Sequence, residues 1–205
     1  MLPESQLRAV LDKLAPRTVH GPYSRCVGYH NLVRRPGRMP PAVGPQPLWG
    51  MGSRIYGARF TPKGAFETIY LAEDPITALA EVALVIQDPR LAPSTYLTPP
   101  WVQIAVEGVL VSVLDLTQPE VQAELGTNRQ ELTGEWFGTQ TQGMEPPTQM
   151  LGRVCHETAR FDGIRSHSSK NPPYGVCVAV FPDRLNPPAF IEVYDPHGNL
   201  AQRLP

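Results

Sequence analysis

The chain has 205 residues, of which 41% are hydrophobic and 18% are charged, and its formal net charge is −1 at pH 7. No window approaches the roughly 20 apolar residues of a membrane span, and the near-neutral charge provides no electrostatic footprint for nucleic acid or for an anionic membrane. We therefore expect one domain over residues 1–205, with no nucleic-acid or membrane partner. The N-terminal residues lack the apolar run of a signal peptide, which favours a cytoplasmic location.

Metal and nucleotide motifs are missing from the sequence. The three cysteines, Cys26, Cys155 and Cys177, are too widely spaced for a CxxC zinc pattern, and their odd number does not suit a disulfide framework. The five histidines are scattered and no HExxH occurs, so we predict no metal site. No GxGxxG follows a predicted strand and no GxxxxGK[ST] is present, which argues against a Rossmann or P-loop site.

The first third of the chain predicts one helix and several short strands. Residues 4–14, within an N-terminal helical extension (residues 1–20), repeat apolar side chains at helical spacing, so we expect this stripe to pack on the core or on a second subunit of a homodimer. A Pro-rich loop at 34–50 is either a lid or binding loop or an insertion. Alternating patterns and turn residues predict strands at 23–29, 55–60 and 68–72, with a turn at 61–64.

A capped helix and an α+β pattern follow. Asp74 before Pro75 predicts a helix start, because aspartate caps helices and proline suits the first helical position, and the helix should run to about residue 87. The remaining expected elements are a hairpin of strands 101–106 and 109–116 turning at Glu107-Gly108, helices at 119–125 and 147–160, and strands at 176–181 and 189–194. Strands and helices do not alternate regularly, so we predict an α+β fold with antiparallel or mixed sheets flanked by helices.

Three polar side chains interrupt this pattern between residues 57 and 82. Glu81 lies in a helix that is apolar on most sides, four residues after Thr77 and so on the same face. It occupies either a narrow solvent-facing strip or the wall of a cleft. Arg59, in the predicted strand 55–60, is either a sheet-edge arginine or a guanidinium placed for phosphate or carboxylate. Tyr70 is either a core tyrosine or a cleft wall.

The polar segment 161–175 is predicted to be a loop between a helix and an apolar strand. It carries Ser166, His167, Ser168 and Ser169, which supply hydroxyl groups and a titratable ring. Loops held by such elements commonly carry function, although an ordinary serine-rich connection has the same composition.

These segments resemble the RES domain family, which is named for its arginine, glutamate and serine. The family patterns G-G-R-[WF]-N-x-x-G, Y-L-A, A-L-x-E and D-G-I-x-Y-x-S are matched here by GARFTPKG (57–64), YLA (70–72), ALAE (78–81) and DGIRSHS (162–168). The family serine then falls on Ser168, with Ser166 and Ser169 as alternatives because Ser166 stands where tyrosine is common. An early family arginine is matched by Arg25, and the resemblance extends over about residues 21–185.

The resemblance implies a fold similar to that of ADP-ribosyltransferase toxins, with NAD as a substrate and no separate cofactor. It implies a bacterial toxin of the RES–Xre type that cleaves the nicotinamide–ribose bond, with inorganic phosphate or water as acceptor. A mono-ADP-ribosyltransferase that modifies a protein is one alternative, and a catalytically inactive domain that only binds a partner is another. The partner implied is a cognate Xre-type antitoxin that blocks the NAD cleft.

The resemblance also assigns roles to individual residues. Glu81 would stabilise the oxocarbenium-like ribose, and Arg59 and Arg25 would hold the pyrophosphate through charge-assisted hydrogen bonds. Tyr70 would stack on nicotinamide. Ser168, or its alternatives Ser166 and Ser169, would hold the ribose or the carboxamide.

Overall fold

The computed structural model describes residues 1–29, 32, 45–82 and 100–205. The strands in these ranges are β1 (Arg17–His20), β2 (Tyr23–Gly28), β3 (Ile69–Ala72), β4 (Trp101–Asp115), β5 (Gly163–His167), β6 (Val176–Val180), β7 (Phe190–Val193) and β8 (Arg203–Leu204). The α-helices there are α1 (Glu4–Leu11), α2 (Met51–Tyr56), α3 (Pro75–Glu81), α4 (Pro119–Glu124), α5 (Arg129–Thr133), α6 (Phe137–Thr141) and α7 (Pro147–Glu157). None of these helices is long and apolar enough to span a membrane.

Two of the predicted features lie partly outside the described residues. They are the Pro-rich loop at 34–50, of which residues 45–50 are described, and the continuation of the helix beyond residue 82.

The described strands form one mixed sheet organised around the long strand β4. The order is β2-β3-β6-β5-β4-β7-β8, with β1 also paired to β4, and β2 pairs with both β3 and β4. The pairings from β2 through β3, β6 and β5 to β4 therefore return to β2, so the sheet curls back on itself. All pairs are antiparallel except β4 with β5. The predicted α+β class with a mixed sheet flanked by helices is confirmed.

The predicted hairpin at 101–116 is wrong, because Glu107 and Gly108 continue one extended strand. Residues 106–109 pair with β7 on one edge of β4, while β2 and β1 pair along the other edge. At Gly108 a Cβ atom would lie 2.5 Å from the Phe190 carbonyl oxygen, so the glycine serves close strand approach and not a turn. Tertiary pairing on both edges overrides the local turn signal.

The predicted strand at 55–60 is also wrong. Residues Met51–Tyr56 form α2, and the chain then makes a tight turn closed by Ala58 and Thr61, whose backbones exchange hydrogen bonds of 2.8 and 3.0 Å. The Ser53 hydroxyl accepts the Thr68 amide hydrogen at 2.8 Å, which ties α2 to the start of β3. Such contacts decide the conformation against the β-propensity of the segment.

The segment 161–175 is only partly a loop, since Gly163–His167 forms β5 between β4 and β6. The loop proper is residues 168–175. Two predicted helices end earlier than expected: the first at Leu11 instead of residue 14, and the helix from Pro147 at Glu157 instead of residue 160. A left-handed backbone at Ala159 (φ 56°) prevents that helix from continuing.

The apolar stripe of α1 packs inside the chain. Leu7 and Leu11 are completely buried and belong to a cluster with Leu151 and Val154 of α7. Around this contact, Arg153 pairs with Glu4, Glu145 and Glu157. A second buried cluster lies along the strands and contains Ile69, Val106, Val178 and Ile191 among others.

Candidate active site

A cleft of about 500 Å³ is lined by residues of β2, β3, β5, β6, α2, α3 and the turn after α2. Among its lining residues are most of the site residues predicted from sequence, which are Arg25, Arg59, Tyr70, Glu81, Ser166 and Ser169. Ser168, the remaining one, is buried and hydrogen-bonded to Glu81. The fold thus brings together residues that are up to about 140 positions apart in the chain.

Arg59 is held at the tip of the tight turn that follows α2. Its Nη1 donates to the carbonyl oxygens of Leu132 (2.9 Å) and Gly134 (2.8 Å), and its Nη2 donates to Ser169 Oγ (2.8 Å). The turn begins at Gly57, whose φ of +81° lies in the left-handed region that favours glycine. Burial lowers the pKa of Arg59, and the nearby Glu81 carboxylate opposes that shift.

Tyr70 lines the cleft and supports the same turn. Its hydroxyl accepts the Phe60 amide hydrogen at 3.0 Å and lies 3.4 Å from Thr61 Oγ1. Burial raises the pKa of Tyr70 to about 12, so the hydroxyl is protonated at neutral pH. Both alternatives from the sequence are therefore present in one residue: a satisfied hydroxyl, and a ring on the wall of the cleft.

Arg25 projects from β2 into the cleft. Its Nη1 donates to the Tyr70 carbonyl at 2.9 Å and its Nη2 to the Trp49 carbonyl at 3.0 Å. Its Nε is buried and has no hydrogen-bond partner among the described residues. Burial lowers the pKa of Arg25 to about 10, which still leaves the guanidinium charged at neutral pH.

Glu81 is the last residue of α3 and projects into the cleft. The helix starts as predicted: Asp74 caps it by accepting the Thr77 amide hydrogen at 2.8 Å, and Pro75 follows. The Glu81 carboxylate accepts the Ser168 hydroxyl hydrogen at 2.5 Å and lies 3.6 Å from Cys177 Sγ. Burial, followed by the charge of Glu81, raises the pKa of Cys177 well above its usual value, so this thiol is neutral.

The three candidate serines have different environments. Ser168 is buried and bonds to Glu81. Ser169 faces the cleft and accepts from Arg59. Ser166 is buried in β5 and lines the cleft, and within the described residues no hydrogen bond joins its hydroxyl to Glu81 or Arg59. The geometry therefore ties Ser168 to the carboxylate and Ser169 to the guanidinium.

Sequence reasoning missed several residues that line the cleft: Trp49, Tyr56, Trp136, Lys170 and Cys177. No motif marks the aromatic residues, because they come from separate loops and a helix end. Lys170 could have been found, since it immediately follows the serine cluster.

The cleft combines three cationic side chains (Arg25, Arg59 and Lys170), the Glu81 carboxylate and several aromatic rings. Across the part of the chain that the structure describes, no three His, Cys, Asp or Glu side chains are grouped to hold a metal ion. The arrangement suits an elongated ligand with anionic and aromatic parts, and the carboxylate is placed to stabilise a positive charge that develops on that ligand.

Part of the chain is similar to mycobacterial proteins that share one name. A 97-residue stretch is 29% identical to the NAD(+) phosphorylase MbcT of Mycobacterium bovis and of Mycobacterium tuberculosis, and covers 47% of this chain and 52% of each of those proteins. The chain thus matches about half the length of these relatives.

A similar fold occurs in the crystal structure of the M. tuberculosis MbcT–MbcA toxin–antitoxin complex. The match has a TM-score of 0.64 at 19% identity and covers 98% of this chain and 90% of that chain. The RES domain family matches residues 34–201, a range that includes Arg59, Tyr70, Glu81 and Ser168. This match extends over most of the sequence, and the chain therefore belongs to the RES domain family.

Proposed function

We propose that this chain cleaves the bond between nicotinamide and ribose in NAD, with Glu81 as the catalytic carboxylate. One observation carries the proposal: the Glu81 carboxylate, fixed by the Ser168 hydroxyl at 2.5 Å, shares a cleft with the guanidinium groups of Arg25 and Arg59. The name of the mycobacterial relatives, NAD(+) phosphorylase, supports the same substrate.

The two arginines are suited to hold the pyrophosphate of NAD. A guanidinium has five N–H donors. Three hydrogen bonds to the protein hold Arg59, and two hold Arg25. These bonds set the position of each guanidinium and leave N–H donors for a ligand. Charge-assisted bonds from both groups would then fix the dinucleotide along the cleft.

The reaction breaks the bond from ribose C1′ to the nicotinamide nitrogen. The bonding electron pair leaves with nicotinamide, whose ring nitrogen loses its positive charge, and the ribose acquires oxocarbenium character. The Glu81 carboxylate stabilises that charge electrostatically. An acceptor oxygen then bonds to the same ribose carbon, which is C1″ in the numbering of ADP-ribose. Inorganic phosphate gives ADP-ribose 1″-phosphate, whereas water gives ADP-ribose and a proton. The relatives' name favours phosphate.

The proposal extends to biological context. A solved neighbour is a toxin bound to an antitoxin, and we infer that this chain is likewise a toxin whose Xre-type antitoxin covers the cleft. Tyr56 (61% exposed), which lines the cleft, and Phe137 (56% exposed), next to the lining residue Trp136, provide aromatic surface for such a partner. We propose that the chain acts in the cytoplasm, where its proposed substrate NAD is present. We also propose that residues 1–205 form one domain, since the N-terminal helix α1 packs on α7.

The test is nicotinamide release from NAD by the purified protein, followed by NMR with and without inorganic phosphate. We expect release in the wild type, and ADP-ribose 1″-phosphate when phosphate is present. Glu81→Gln removes the charge but keeps the shape, and should lower the rate by about 10²–10³-fold. Glu124→Gln is the matched control, because Glu124 is also an exposed glutamate at the end of a helix, α4, and does not line the cleft.

Three results would contradict parts of the proposal. Wild-type rates in Glu81→Gln would show that Glu81 is not the catalytic carboxylate. Labelling of a lysate protein by radioactive NAD, without release to phosphate or water, would identify a mono-ADP-ribosyltransferase instead. A folded protein that neither releases nicotinamide nor labels a target would be a binding domain.

A further inference from the structure

The Ser168 hydroxyl is fully hydrogen-bonded in this structure. A serine hydroxyl has one hydrogen to donate and two lone pairs to accept. The backbone amides of Lys170 and Asn171 each donate to Ser168 Oγ at 3.0 Å, which occupies both lone pairs. The hydrogen is then directed to Glu81 Oε1, 2.5 Å away. The orientation of the Glu81 carboxylate therefore depends on where these two amides are held.

A buried side-chain pair holds them. Asn171 Nδ2 donates to Thr77 Oγ1 at 2.8 Å, and both residues are buried, with 9% and 0% exposure. The Thr77 hydroxyl donates in turn to the Asp74 carboxylate that caps α3. Thr77 lies one helical turn before Glu81 on the same face of α3. The loop that starts at Ser168 is thus fastened to α3 at two points, one turn apart.

Gly175 allows this close attachment. A Cβ atom at Gly175 would lie 2.8 Å from Thr77 Oγ1 and 2.8 Å from the Asn171 carbonyl oxygen. The backbone closes the loop at the same place, since Gly175 donates to the Asn171 carbonyl and accepts from the Ser168 amide, both at 2.8 Å. The contact between Thr77 and Asn171 is therefore part of a closed, specific arrangement and not an incidental surface bond.

We propose that Thr77 and Asn171 are positioning residues for the reaction: their hydrogen bond sets the amides that orient the Ser168 hydroxyl, and through it the Glu81 carboxylate. The inference rests on the proposed function, in which Glu81 is the catalytic group. Neither Thr77 nor Asn171 hydrogen-bonds to Arg25 or Arg59 among the described residues. We therefore expect the pair to affect the chemical step more than the binding of the pyrophosphate.

The first variant is Thr77→Val, which keeps the shape of the side chain and removes the hydroxyl. Small misplacement of a catalytic group costs on the order of 10²-fold in rate, so we expect kcat to fall by about that factor while KM for NAD stays within about twofold. Thr77→Ser keeps the hydroxyl and should recover most of the rate. In a Glu81→Gln background, Thr77→Val should have no further effect, because the group that it positions is gone. Thr18→Val is the control, since it removes one exposed hydrogen bond, to Val111 on β4.

Hydrogen exchange gives a readout that does not depend on catalysis. The amides of Lys170 and Asn171 should exchange faster in Thr77→Val than in the wild type, and should be protected again in Thr77→Ser. If the wild type does not release nicotinamide, the proposed function fails, and this exchange result still decides whether the network exists. The inference is overturned if Thr77→Val leaves both kcat and the exchange of these amides unchanged. It is also overturned if kcat falls as far in Thr77→Ser as in Thr77→Val, or if Thr77→Val raises KM without lowering kcat.

Discussion

Gly152→Ala tests how α7 supports the turn that carries Arg59. A Cβ atom at Gly152 would lie 1.9 Å from the Phe60 carbonyl oxygen, and 2.6 and 2.8 Å from the Phe60 C and Cα atoms, whereas ordinary contact begins at 3.4 Å. All three atoms are backbone, so no side chain can rotate away. Helix α7 and the turn would have to separate by about 1.5 Å, in an interior that is otherwise closely packed.

The expected loss of stability follows from this geometry. Overpacking costs about 1–3 kcal/mol, and a clash with backbone belongs at the upper end. Alanine in place of glycine within a helix stabilises the folded state by about 1 kcal/mol. The net loss of about 2 kcal/mol should lower Tm by roughly 4–8 °C for a chain of this size. The displaced turn would also weaken the bond from Phe60 N–H to the Tyr70 hydroxyl, so NAD cleavage should fall even where the variant is fully folded.

Thermal unfolding by circular dichroism and nicotinamide release at 25 °C measure the two effects separately. Gly138→Ala is the matched control: Gly138 lies in α6, and the nearest atom to an added Cβ is 3.9 Å away, so its Tm should be unchanged or higher. Wild-type Tm and activity in Gly152→Ala would show that α7 does not pack directly on the backbone of this turn.

Two further predictions concern the turn and a buried carboxylate. Tyr70→Phe leaves the Phe60 amide without its acceptor, which should cost about 1–3 kcal/mol of unfolding free energy and raise KM for NAD, measured by denaturant unfolding and kinetics; an unchanged KM would show that the turn does not need this bond. For Asp115, burial raises the pKa, but hydrogen bonds from Thr117 and the Arg165 guanidinium outweigh burial and bring the pKa below 3.8. The folded state then binds its proton less tightly than the unfolded state, so the stabilisation is complete above about pH 4 and is lost as the pH falls through the lowered folded pKa. Asp115→Asn should therefore have a lower Tm than the wild type at pH 7, and its Tm should fall less than that of the wild type between pH 4 and pH 3. An equal fall in Tm in both proteins would contradict the assignment of the lowered pKa to Asp115.

Local signals in the sequence correctly predicted the helices and strands that are determined by residues a few positions apart. Asp74 and Pro75 start α3 as predicted, because an N-cap and a proline at the first turn act within four residues. The same holds for the apolar run that forms β6 and for the helix from Pro147, except at its end. The resemblance to RES domains rested on short motifs at ordered spacings, and the family assignment agrees with it.

Elements whose cause is distant in the chain could not be predicted in this way. Glu107 and Gly108 resemble a turn until β7 is known to pair beside them, and Gly163–His167 resembles a loop until β4 and β6 enclose it. Residues 55–60 have strand-like composition, but contacts to β3 and α7 make them a helix end and a turn.

The sequence by itself indicated the arginine, tyrosine, glutamate and serine residues that the fold brings to the cleft, in that order along the chain. Only the tertiary structure decided what each of them does to its neighbours. Ser168 and Ser169 are adjacent in the chain, yet one bonds to Glu81 and the other to Arg59, because successive side chains leave the end of β5 in different directions. The link from Asn171 to Thr77 spans 94 positions of sequence. A hydrogen bond depends on distances below about 3.2 Å, and only the folded chain sets such distances between residues so far apart.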